Sequence, residues 1–86
     1  SPDYVEDYRE NKDAMYVRLN TDDEAAAWKY ICSQFGKVER LSRRGAEDDE
    51  IAFVTPMMKE KEITERLEKL SGFGLQIKNT IRISDL

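Results

Sequence analysis

From Ala14 the chain alternates, with Met15, Val17 and Leu19 on one side and Tyr16 and Arg18 on the other. This is the period-two pattern of a strand with one buried face. Asn20, Thr21, Asp22 and Asp23 then offer capping side chains ahead of an alanine-rich segment. Within it Ala25, Trp28, Ile31, Cys32 and Phe35 recur at helical spacing, and Gly36 is placed to end the helix. Lys37 to Arg44 carries Val38 and Leu41 among charges. Their opposite parity predicts a short strand with a bulge or bend. Gly45 to Asp49 reads as a polar turn, and Ile51, Ala52, Phe53 and Val54 as a buried strand stopped by Pro56. Met58, Ile63, Leu67 and Leu70 mark a second amphipathic helix ending near Ser71-Gly72. Leu75, Ile77, Ile81 and Ile83 share parity and predict a last strand, with an interruption around Lys78-Asn79.

The order strand, helix, strand, strand, helix, strand predicts an α+β fold: a ferredoxin-like βαββαβ sandwich, one four-stranded antiparallel sheet with two helices on one face. Ahead of it, residues 1–13 are polar and read as a linker or a short helix from an upstream domain. Ser1 and Pro2 suit its first turn, and Tyr4 and Tyr8 share one face, covering the edge of the domain or meeting the upstream one. Residues 14–86 form the domain proper. Its second sheet face is left open to a partner or to solvent, and fold alone does not choose between them.

Eighty-six residues suffice for one small domain, and the 40% apolar fraction supports a core despite 37% charged residues. Fourteen basic and 18 acidic residues leave a net charge of −4, a poor balance for gripping phosphate backbones. The absence of histidine removes the usual general base and the commonest metal ligand. A single cysteine, Cys32, forms no internal disulfide and suits a reducing cytoplasm. No apolar run is long enough to cross a membrane. The start at Ser1-Pro2 rather than Met suggests a piece of a longer protein.

Chemistry within such a chain would rest on carboxylates, lysines or Cys32. The acidic runs Asp22-Asp23-Glu24 and Glu47-Asp48-Asp49-Glu50 lack calcium-loop spacing and read as solvated loop ends and helix-dipole partners. Cys32, beside Ile31, reads as a buried thiol, and Trp28 as a core anchor. Gly72 and Gly74 follow a helix, the wrong place for a phosphate loop. The basic stretch Lys37, Arg40, Arg43 and Arg44 borders an acidic loop and reads as internal charge pairing. These residues compose no self-contained active site.

Two family resemblances follow. Met15 to Leu19, Ser33-Gln34-Phe35-Gly36-Lys37-Val38 and Ala52-Phe53-Val54-Thr55 resemble an RNA-recognition motif. That family's third strand carries a basic residue, a glycine and outward aromatics that stack on bases. Here Asp49, Glu50, Ile51 and Pro56 stand at four of those positions, so nucleic acid is not the expected partner. The chain also resembles an ACT domain, in particular the C-terminal regulatory domain of homoserine dehydrogenases. Tyr16-Val17-Arg18-Leu19, Asp23, Ile31, Phe35-Gly36, Ile51 to Thr55, Ile63, Leu67, Leu70, Ser71, Phe73 and Asn79-Thr80-Ile81-Arg82-Ile83 carry that likeness.

The second resemblance implies a parent oxidoreductase that interconverts homoserine and aspartate semialdehyde with NAD(P), on the path to threonine and methionine. Its cofactor and catalytic residues would lie upstream, outside this chain. It also implies pairing with a second copy, contact with the upstream catalytic domain, and a small amino-acid effector such as threonine. The expected effector loop is Asn20, Thr21, Asp22, Asp23 and Glu24. Asn20 and Thr21 would hydrogen-bond the ligand, and Asp22 or Asp23 would receive its ammonium group. The family's usual Pro-Gly pair is absent here, and the acids would repel an incoming carboxylate. The same residues also suit a helix cap and an acidic first turn. A purely structural dimerisation domain is a third reading.

Overall fold

The computed structural model of the chain describes residues 12–41 and 49–86. Tyr4, Tyr8, Arg43, Arg44, Glu47, Asp48 and all of the expected turn except Asp49 lie outside these residues. In chain order the elements are β1 (Lys12–Asp13), β2 (Met15–Asn20), α1 (Glu24–Phe35), β3 (Glu39–Arg40), β4 (Glu50–Val54), β5 (Met58–Lys59), α2 (Glu60–Gly72) and β6 (Gln76–Arg82). A 3₁₀ turn at Ile83–Asp85 follows. The fold is α+β, with one four-stranded antiparallel sheet in the order β3-β4-β2-β6 and a separate β1-β5 pair.

Alternation makes β2 the central strand. Met15, Val17 and Leu19 are buried while Tyr16, Arg18 and Asn20 are partly exposed, as period two requires. Across the ladder Val17 faces Phe53 and Leu19 faces Ile51, so β2 and β4 turn the same face inward. Ala27, Trp28, Ile31 and Phe35 of α1 and Ile63, Leu67 and Leu70 of α2 join those residues in one core, which places both helices on that face. Phe53, fully buried, lies at its centre. Its ring meets Trp28 edge-on at 6.2 Å and Phe35 at 5.9 Å, contacts that add about 0.5–1.5 kcal/mol each beyond burial.

Helix α1 starts at Asp23, whose carboxylate accepts from the Ala26 amide at 3.1 Å, and it stops at Gly36. Gly36 adopts φ 72°, a conformation costly for residues with a Cβ, while its amide donates to the Cys32 carbonyl. Two expectations for this helix are corrected. The buried stripe is Ala27, Trp28, Ile31 and Phe35, while Ala25 is exposed. Cys32 is exposed as well: it sits one residue, about 100° of helical turn, past Ile31, and its apolar neighbours belong to the other face.

Three further expectations change in the sheet. Val38 and Leu41 need no bulge, because β3 pairs with β4 without a register shift; Val38 packs on the core and Leu41 lies toward the opposite face. Met58 belongs to β5, opposite Asp13, and α2 begins only at Glu60. Leu75 and Ile77 do reach the core, and the interruption expected around Lys78-Asn79 is a register shift of β6 where Lys78 falls, between Arg18 and Leu19 of β2. That extra residue reverses the parity, so Ile81 faces Tyr16 on the open side, and Ile83 leaves the strand for the 3₁₀ turn. Among the described residues no helix is long and apolar enough to cross a membrane.

Candidate functional site

The five residues of the expected effector loop run from the last residue of β2 to the first of α1. Antiparallel pairing of Asn20 with Glu50 brings this loop beside the start of β4, and the Thr21 amide donates to the Asp49 carbonyl at 2.7 Å. Between the two segments lies an open cleft of about 310 Å³ lined by Thr21, Asp22, Glu24, Asp49 and Ile51.

Three of the five expected residues therefore meet, and two do other work. Asp23 caps α1 with its side chain and closes a local turn with Thr21, the two sharing 3.1 Å hydrogen bonds in both directions. Asn20 faces Glu50 and Gln76 across the sheet, and its Oδ1 is buried with no hydrogen-bond partner among the described residues. Glu24 reaches back along α1, accepting the Trp28 indole N–H at 3.4 Å. Asp49 and Ile51 complete the cleft from the second segment. The strand pairing that delivers them was legible only as a predicted order, since Asp49 reads as part of a turn.

The charge of the cleft decides what it can hold. Asp22, Glu24 and Asp49 supply three carboxylates, whereas the N-terminus of α1 contributes roughly half a positive charge. The carboxylates prevail, so an ammonium group is favoured there and a carboxylate or phosphate is not. No group of three or more acidic or thiol side chains among the described residues is arranged to hold a metal ion.

A second polar cluster lies on the open face of the sheet. Glu50, although charged, is only 6% exposed, and its Oε1 lies 3.0 Å from Nε of the half-exposed Arg18 as an ion pair. Tyr16, Val54 and Ile81 form an adjacent row across β4, β2 and β6, all partly buried. Phe53, on the strand where an RNA-recognition motif presents stacking aromatics, points the other way into the core. Compared with known proteins, the chain matches no family model, no curated protein and no solved structure.

Proposed function

We propose that the chain is a regulatory domain of the ACT type, ferredoxin-like in topology, serving a homoserine dehydrogenase. The cleft beside Thr21, Asp22 and Glu24 carries this reading: it lies at the loop between the first main strand and the first helix, where that family takes an amino-acid effector. The strand order β3-β4-β2-β6 and the helices sharing one core support it. In this reading the effector places its ammonium group among the carboxylates, and a second copy of the domain supplies the remaining contacts. Differential affinity for two arrangements of the pair would shift the catalytic domains between more and less active states.

The nicotinamide cofactor belongs to the upstream catalytic domain in this reading. The residues described do not fit it, because Gly72 ends α2 and Gly74 leads on toward β6, whereas a phosphate-binding turn joins a strand to a helix.

Calorimetric titration with threonine, methionine and lysine, on a sample whose assembly state is fixed by sedimentation, tests the proposal. Heat with one of the three in a dimeric sample is the expected result. A dimer giving no heat with any of them would leave an assembly domain without a sensor.

A further inference from the structure

At the end of β2 opposite the cleft, three segments meet around Asp13 and Arg82. The Ser84 hydroxyl donates to Asp13 Oδ2, and the Ala14 amide donates to Asp13 Oδ1 at 2.8 Å. Arg82 Nε lies 3.0 Å from Asp85 Oδ2, and its Nη1 lies 3.7 Å from Glu60 Oε2 at the first residue of α2. The Ile83 amide donates to the Ala14 carbonyl at 2.9 Å.

The two elements joined here are short. β1 has two residues and the 3₁₀ turn three, and neither contributes a buried side chain. Strands and turns this short are not stable alone in water. Met58 of β5 packs against the core, but no side chain of β1 or of the turn is buried, so what joins these two elements to each other is polar.

We propose that Asp13, Ser84, Arg82, Asp85 and Glu60 form a polar latch through which β1 and the C-terminal turn close and open as one cooperative unit, independently of the core. Closed, the latch fixes the direction in which the chain reaches the sheet at Lys12. Open, it releases that direction while the four-stranded sheet stays intact. Segments with few buried contacts open locally at far lower free energy than a core, which is the behaviour the latch requires. This device does not depend on what the cleft binds.

Amide hydrogen exchange on the 86-residue chain tests it with two variants, Ser84→Ala and Asp85→Asn. Ser84→Ala removes the hydroxyl that donates to Asp13, and Asp85→Asn removes the charge that pairs with Arg82. The expected result is a loss of protection of about fivefold both at Ile83 and in the β1-β5 ladder around Met58, with Val17, Ile31 and Phe53 unchanged. Three results overturn the proposal: loss confined to residues 83–86 with the ladder unaffected, loss spread equally into the core amides, or no loss in either variant. Asp85→Asn reports on the same unit without altering Asp13 or Ser84, so agreement between the variants separates a shared latch from one local bond.

Discussion

The Arg40 guanidinium lies 4.3 Å from the centroid of the Trp28 ring, which ties the edge strand β3 to helix α1 by a cation–π contact. The contact helps a strand of two exposed residues hold its place, beside the ladder pairs Glu39–Val54 and Arg40–Phe53, the Leu41 amide donating to the Ala52 carbonyl at 3.0 Å, and Val38 on the core. Arg40 covers the indole while its charge stays in water. Arg40→Ala is expected to cost about 0.5–1 kcal/mol and to shift tryptophan emission toward the red. Urea unfolding followed by fluorescence measures both, and unchanged emission would show that the guanidinium does not cover the ring.

Phe53 is the centre of the core, and its role separates two functional readings. Phe53→Ala removes both aromatic contacts at once and is expected to cost about 3–5 kcal/mol. Against a domain stability of roughly 5–15 kcal/mol, that leaves a marginal fold, visible as a large drop in the urea midpoint. The same burial predicts that the intact chain shows no salt-sensitive affinity for a pool of single-stranded RNA. Affinity falling steeply between about 50 and 200 mM salt would return the RNA reading to first place.

Much of this architecture is legible in the sequence because it rests on period. The alternation of residues 15–19 and the Ile63, Leu67, Leu70 stripe lead directly to β2 and α2. The interruption expected around Lys78-Asn79 is present as a register shift, but the face that later residues take was not legible. Lys78 adds one residue to β6 and moves Ile81 to the opposite face, yet Ile77 and Ile81 keep matching parity in the sequence. Cys32 looks apolar by its neighbours and is exposed by 100° of helical rotation. In the loop, residue chemistry pointed to capping and to ligand binding at once. Only the pairing of Asn20 with Glu50 separates Asp23, which caps, from Asp22, which lines the cleft beside Asp49.

That separation is itself testable. Asp23→Ala removes the acceptor for the Ala26 amide and is expected to destabilise the domain by about 1 kcal/mol whether or not an effector is present. Asp22→Asn removes one cleft carboxylate from an exposed position, so its effect on stability should stay within about 0.5 kcal/mol. If an ammonium group binds among the carboxylates, Asp22→Asn weakens the effector's calorimetric signal while leaving the melting curve in place. A variant that lowers stability as much as Asp23→Ala would assign Asp22 to the cap instead.

Acid should act through Asp13 in a definite direction. The Ser84 hydroxyl bond, helped by backbone amides of Ala14 and Ser84 and by the Arg82 charge, holds the Asp13 carboxyl below the usual carboxylate range against a smaller opposing effect of desolvation. Arg82 is pushed further up by its bond and ion pair with Asp85 and by Glu60, so it stays charged throughout. A carboxyl with a lower pKa folded than unfolded binds protons more readily in the unfolded chain. Its contribution to stability is therefore complete well above about pH 4 and disappears as pH falls through the lowered folded value. Comparing unfolding free energies of the native chain and Asp13→Asn isolates this group, because the other carboxylates are common to both. The native chain should be the more stable at neutral pH, with the gap closing steadily as the solution is acidified below about pH 5. A gap that stays constant across that range would mean that the Asp13 contacts do not depend on its charge.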